Sequence, residues 1–246
     1  MLGMTSVTFR NKSIEEVIEI TKQSPLTAIE WGGDAHVPDV NAAKRAAQLT
    51  KNAGLKIASY GSYYRVGKDS IQRFDEVLDV AKMLGAPIVR IWCGDIPSED
   101  TPKERFLEYV RDIKEVAKRA AKDGIIIASE YHNGTYNDSP ESALRLIESI
   151  GMANYRTYWQ TLSFDKRDVE SLTKLLPYVE TIHVFAWNRR GRRYSLRKHA
   201  DKWRSIIELS RNSNVNYIME FVKGDSDRRF LKDAETLADL YNGVYR

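Results

Sequence analysis

The 246-residue chain is short of several things, and each shortage excludes something. It has one cysteine, Cys93, so no internal disulfide can form, which fits a reducing cytoplasm. No stretch approaches the roughly 20 consecutive apolar residues of a bilayer span. The N-terminal Met-Leu-Gly-Met-Thr-Ser-Val-Thr-Phe-Arg lacks the charged and apolar regions of a secretory signal. A cytoplasmic protein with no membrane partner is therefore expected. No segment rich in Pro, Gly or Ser reads as a linker between domains. Walker loops, Cys-x-x-Cys pairs and Ser/His/Asp signatures are absent as well. Histidine is scarce, at four: His36, His132, His183 and His199.

What is present is enough to fold. Residues are 42% hydrophobic and 10% aromatic, which excludes disorder as the main state. The formal charge is +4, from 38 basic and 34 acidic residues, but it is unevenly spread. Arg189, Arg190, Arg192, Arg193, Arg197, Lys198, Lys202 and Arg204 stand against the lone acid Asp201 in one short stretch. Such a run suits an anionic partner; its plainer reading is a solvated loop leading into a helix face.

Short apolar runs alternate with longer amphipathic ones. The runs predict strands at Ser6–Phe9, Thr27–Trp31, Lys56–Tyr60, Pro87–Cys93, Ile125–Glu130, Arg156–Gln160, Thr181–Phe185 and Asn216–Val222. Between them the period is helical, as where Phe106, Val110, Ile113, Ala117 and Ala120 share one face. Ser13, Thr101-Pro102 and Asp138-Ser139-Pro140 mark helix starts. Gly54, Gly85, Gly124 and Gly151 follow helical runs, where a left-handed residue is wanted. Eight βα units sharing 246 residues predict one α/β domain over 1–246, a (β/α)8 barrel. The competing doubly wound sheet would carry glycines after its first strand, where Arg10-Asn11-Lys12-Ser13 stands instead.

Barrel chemistry gathers at the carboxyl ends of the strands. Glu130, Gln160, His183 and Glu220 occupy that position on the fifth to eighth strands, and alternation turns Glu130 and Glu220 inward with Ala128 and Ile218. Charges pointing into a barrel mouth must be paired or metal-bound. Two carboxylates, an imidazole and an amide oxygen suit one divalent ion such as Mn2+, Mg2+ or Zn2+. The neighbouring loops hold Gly32-Gly33-Asp34-Ala35-His36, Tyr60-Gly61-Ser62-Tyr63-Tyr64-Arg65, Arg90-Ile91-Trp92-Cys93-Gly94-Asp95 and His132. Trp92, Trp159 and Trp187 stand at strand ends, as platforms for a sugar would, or as ordinary packing between strand and helix.

At these residues the chain resembles the xylose-isomerase-like TIM-barrel superfamily of sugar isomerases and epimerases, which also includes endonuclease IV. The resemblance rests on Ile29-Glu30-Trp31-Gly32-Gly33-Asp34-Ala35-His36, Ala128-Ser129-Glu130-Tyr131-His132, Trp159-Gln160, Ile182-His183-Val184 and Ile218-Met219-Glu220-Phe221. It implies that Glu130, Gln160, His183 and Glu220 bind one divalent metal and that the two glutamates form the acid/base pair. One would remove a proton next to a carbonyl and the other return it, a cation stabilising the enediolate. Arg189, six residues after His183, matches a substrate-binding arginine of ketose 3-epimerases; His36, Trp92, His132 and Trp187 are further candidate substrate contacts. Gln160 and Ser163 replace the Asp and His that many members carry on strand six. The expected activity is isomerisation or epimerisation of a small sugar, sugar phosphate or sugar acid. A lyase using the same proton abstraction and a non-catalytic sugar-binding protein are the alternatives. A nuclease, and with it a nucleic-acid partner, is not expected, because four histidines are too few for a three-zinc centre. Assembly into a homo-oligomer stays open.

Overall fold

The computed structural model describes residues 1–244. Eight parallel strands close on themselves in chain order, β8 pairing β1 with Leu2 opposite Tyr217. They are β1 (Leu2–Thr5), β2 (Ala28–Gly32), β3 (Lys56–Val66), β4 (Ile88–Cys93), β5 (Ile126–Ser129), β6 (Tyr155–Trp159), β7 (Val179–Val184) and β8 (Asn216–Met219). Helices return the chain after each: α1 (Ile14–Lys22), α2 (Val40–Asn52), α3 (Ile71–Leu84), α4 (Lys103–Ala121), α5 (Pro140–Ile150), α6 (Arg167–Leu175), α7 (Ala200–Ser210) and α8 (Asp227–Asn242). The (β/α)8 barrel expected from the sequence is the fold observed.

Local chemistry accounts for the helix boundaries. Ser13 accepts from the Glu16 amide while the Glu16 carboxylate accepts from the Ser13 amide, a reciprocal cap for α1. Ser139 caps α5 with Pro140 in its first turn, and the helix stops at Gly151, whose φ of 63° a side chain would resist. Two expectations are corrected. Pro102 caps α4 rather than entering it. The β-branched run Ser6–Phe9 is a 3-10 turn, and the first strand lies just before it, at Leu2–Thr5. A Cβ on Gly3 would lie 2.7 Å from the Ala28 carbonyl oxygen, so this strand needs a residue of poor strand propensity.

The large side chains pack between strands and helices, and small ones fill the barrel. Trp31 donates to Thr50 of α2 and Trp159 to Ser171 of α6, both outside the barrel. Trp159 is thus packing, not a platform in the mouth. Ala28, Ala58 and Ile218 cluster inside, as do Ile88, Ala128 and Tyr158. This narrow apolar plug forms the floor on which the polar groups sit. No described helix is long and apolar enough to cross a membrane.

Candidate functional site

Above the plug, alternation turns one ring of polar side chains inward. On β4, Val89, Ile91 and Cys93 join the outer core, so Arg90 must face the axis, where it is 1% exposed. Glu30 on β2 and His183 on β7 are wholly buried, and Glu130 and Glu220 follow the last residues of β5 and β8.

The ring is joined by charge. Arg90 Nη1 lies 2.8 Å from Glu130 Oε2. Glu30 Oε2 accepts from Ser59 at 2.7 Å and from Tyr158 Oη at 2.8 Å, while its Oε1 faces His183 Nε2 at 3.4 Å. His183 Nδ1 looks toward Glu220 Oε2 at 3.6 Å and Glu130 Oε1 at 3.8 Å. Gly61 makes room for the guanidinium: a Cβ there would stand 2.9 Å from Arg90 Nη2.

Burial opposes every charge in this ring, and the neighbours decide which persist. Burial pushes the Glu220 carboxyl up to about 7 against the pull of His183, with Glu130 adding repulsion. Burial would lower His183, yet Glu220 and Glu30 outweigh it and raise the imidazole to about 8. Burial also acts against the Glu30 carboxylate, but Arg90 and His183 hold it well below the usual range. The Arg90 guanidinium is likewise kept charged by Glu130 and Glu30 against the cost of its burial.

A cavity of about 320 Å³ opens onto this ring, lined among others by Tyr63, Arg90, Trp92, Glu130, Gln160 and Glu220. His132 and Trp187 line it too, His132 packing on Trp92 with ring centres 4.6 Å apart. A larger cleft of about 500 Å³ lies beside it, but its acids are taken up by the chain's own groups: Asp227 by Lys12, Asp225 by Arg193 and Glu16 by the Ser13 amide.

Sequence reasoning thus brought Glu130, Gln160, His183, Glu220, Trp92, His132 and Trp187 to one place. Two other candidates lie elsewhere. His36 is buried against Trp31 and its Nε2 bonds the Lys12 carbonyl, tying the β2 loop to the start of α1. Arg189 does not line the cavity; it bonds Asp165 Oδ2 and the Ser163 carbonyl on the β6–α6 loop. Glu30, Arg90, Tyr158 and Tyr63 were missed. The signal for Arg90 existed: a charge flanked by Val89 and Ile91 on a strand covered on both faces has only the axis to point at.

As the side chains stand, no three His, Cys, Asp or Glu among the described residues are arranged about one metal ion. The donor set nevertheless suits one. Both ring nitrogens of buried His183 lack a hydrogen-bond partner. Gln160 spends its Nε2 on the Tyr131 carbonyl, which leaves the amide oxygen, the atom that can ligate a cation, for the cavity. Three carboxylates against one guanidinium leave negative charge to neutralise, which in this structure falls to protons on His183 and Glu220.

No curated protein matches the chain in sequence. Solved structures share its architecture at low identity. The probable 3-DHS dehydratase AsbF of Bacillus anthracis, involved in petrobactin synthesis, is 16% identical over 96% of this chain and 98% of that one, with a TM-score of 0.85. The IOLI protein with a bound zinc atom is 14% identical over 99% of each chain, TM-score 0.78. The 3-keto-D-glucoside 4-epimerase YcjR of E. coli is 14% identical over 98% of each, TM-score 0.73. At these identities the likeness is one of fold. Residues 18–184 match the model of a single family, well over half of the sequence, and the chain belongs to the xylose isomerase-like TIM barrel family.

Proposed function

We propose that the barrel mouth moves a proton at a carbon next to the carbonyl of a small carbohydrate, as an isomerase or epimerase. The carrying observation is that Glu130 and Glu220, carried by different strand ends, line one cavity and both face Nδ1 of the His183 ring. The two carboxylates can address a substrate from two directions, which proton removal at one position and return at another requires. Glu220, with its carboxyl near 7, can exchange a proton at neutral pH. Glu130 is fixed by Arg90, and Tyr158 and Ser59 fix Glu30 beneath. Trp92 and Trp187 offer apolar faces to a sugar's C–H groups at the cavity wall.

Glu130, Gln160, His183 and Glu220 would hold a divalent cation, Mn2+, Mg2+ or Zn2+. Such an ion supplies Lewis-acid polarisation of a carbonyl. The zinc in the IOLI structure supports this reading. The substrate we favour is an uncharged ketose, because the cations near the mouth are compensated: Arg10 by Asp34, Arg90 by Glu130, Arg193 by Asp225 and Lys202 by Asp168.

A lyase is the second reading, favoured by the likeness to the probable 3-DHS dehydratase, whereas the likeness to the 3-keto-D-glucoside 4-epimerase YcjR supports the first. The same abstracted proton would then be followed by loss of a hydroxyl. One experiment addresses both. Protein stripped of metal and reloaded with Mn2+, Mg2+ or Zn2+ should bind about one ion per chain, lost in Glu220→Ala, and ketoses recovered from deuterated water should carry deuterium. Product with a new double bond would replace the isomerase by the lyase. Neither exchange nor product from a panel of ketoses and keto-acids would overturn both.

A further inference from the structure

The strand before Arg90 contains an irregularity that the proposed proton transfer does not use. Opposite β4, β3 carries surplus residues: Gly61 pairs Arg90 and Arg65 pairs Trp92, so four steps on one strand face two on the other. Ser62 pins the bulge, donating to the Arg90 carbonyl at 2.6 Å and accepting from the Tyr64 amide at 3.2 Å. The chain passes over the top at Tyr63, whose φ of 58° is unfavourable for any residue with a side chain. Bulges beside sites commonly re-aim one side chain. Here the effect is to lift Tyr63 off the sheet and stack it on Trp92, ring centres 6.3 Å apart and planes at 24°, on the cavity wall.

The hydroxyl is set up as a donor. Arg10, from the loop after β1, donates to Tyr63 Oη at 2.9 Å and is itself held by Asp34 at 2.5 Å. The guanidinium of Arg90 lies 5.0 Å from the ring centre and offers only donors. The phenolic oxygen therefore has its lone pairs addressed by an arginine, and its proton has no acceptor among the described residues. Burial keeps the phenol protonated.

We propose that Tyr63 is a ligand-binding residue, its O–H donating to a hydroxyl or carbonyl oxygen of the bound carbohydrate, with Arg10 as the positioning residue that keeps that proton free. The assignment rests on the reading of the cavity as a sugar site, not on the reaction carried out there.

The test uses full-length, Mg2+-loaded protein carrying 13C at Cζ of its 13 tyrosines, titrated with D-fructose, D-tagatose and glycerol. Tyr63→Phe identifies the Tyr63 signal. We expect that signal to move saturably with at least one ketose, and Tyr63→Phe to weaken binding, followed by tryptophan fluorescence, about five- to tenfold with an unchanged unfolding midpoint. Arg10→Met should displace the Tyr63 signal before any ligand is added. It should weaken binding in the wild-type background but not further in Tyr63→Phe, a non-additivity that a merely structural role would not produce. Ketose binding that leaves the Tyr63 signal and the Tyr63→Phe affinity unchanged would overturn the assignment and spare the proposed function. A Tyr63 response without deuterium exchange into any ketose would keep the assignment and overturn the reaction. No binding of any of the three probes would overturn both.

Discussion

The two sides of the barrel mouth are built from similar residues and solved differently. On the β2–β4 side, Glu30 Oε2 accepts from Ser59 and from Tyr158 of β6, and Arg90 and His183 hold the carboxylate charged, although its Oε1 and the Nε and Nη2 of Arg90 have no hydrogen-bond partner. On the β5–β8 side, His183 has no hydrogen-bond partner for either ring nitrogen, Glu220 is pushed toward protonation, and Gln160 keeps an amide oxygen free. The carboxylate of the first side is kept charged by fixed cations of the chain, and that of the second is not. Arg90 lies at the border, its Nη1 on Glu130 and its charge felt by Glu30. A fixed cation can compensate only part of a ring that carries three carboxylates, and the remainder is where the proposed cation or substrate would act.

The largest effect should come from breaking the charge-compensated side. Arg90→Met keeps the volume of the side chain but leaves Glu30 and Glu130 buried without their cation. Removing one partner of a buried pair costs about 3–5 kcal/mol, because the other charge stays behind. Urea unfolding at pH 7.5 should show a loss of this size. A loss below about 1 kcal/mol would mean that Arg90 is not what compensates that side.

The second prediction concerns pH in metal-free protein, and its sign follows from the two perturbed groups on the β5–β8 side. Glu220 titrates near 7 when folded against an ordinary 4.5, so between those values the folded chain holds a proton that the unfolded chain has released. Stability therefore falls as pH rises across that window. His183 is raised from 6.5 to about 8; its stabilising charge is fully present below about 6.5 and is lost as pH rises through 8. Both slopes have the same sign. In chelator, stability should decline from pH 5 to 8.5 by roughly 4 kcal/mol, since a tenfold change in proton affinity on folding corresponds to about 1.4 kcal/mol and the two groups together span about three such factors in that window. Glu220→Gln should flatten the lower part of that decline. Saturating Mg2+ or Zn2+ should offset it, because ligands bind best deprotonated. A decline unaffected by Glu220→Gln would assign the slope to other groups.

The contrast between the two sides also explains what was legible in the sequence. Glu130 and Glu220 stand at the ends of apolar runs, and that boundary is visible without coordinates, whereas His183 stands inside its run and was singled out by its imidazole. Glu30 and Arg90 stand inside such runs, where a charge reads as an interruption until both faces of the strand are known to be covered. The barrel itself was legible from eight alternating runs, yet the first strand was displaced. Ser6–Phe9 has strand-forming residues, whereas the true strand carries Gly3, chosen for close packing against Ala28 rather than for propensity. Tyr63 was beyond reach, because its role depends on a bulge whose length is fixed by pairing with β4. His36 was misread because it lies beside a strand end but faces outward, to the Lys12 carbonyl, whereas Trp159, which faces α6, follows the ordinary-packing reading offered for it.

The smallest effect is expected where the sequence pointed most strongly to a ligand. Arg189 belongs to the basic stretch after β7 and stands six residues beyond His183, a spacing that matches a substrate-binding arginine. In the structure its guanidinium is 62% exposed and bonds Asp165 and the Ser163 carbonyl, outside the cavity lined by Glu130 and Glu220. An exposed pair contributes little to stability, since water screens it and two long side chains must be ordered to form it. Arg189→Ala should therefore leave the urea midpoint unchanged and alter ketose affinity less than twofold, as measured by tryptophan fluorescence. Asp165→Ala separates the possible outcomes. If Arg189→Ala weakened binding tenfold and Asp165→Ala strengthened it, Asp165 would be a restraint that holds Arg189 away from the mouth until substrate arrives. The two-sided description would then need a third element, supplied by the β7 loop. If neither variant changes binding, the basic stretch is a neutralised surface, and recognition lies with the cavity wall formed by Tyr63, Trp92 and Trp187.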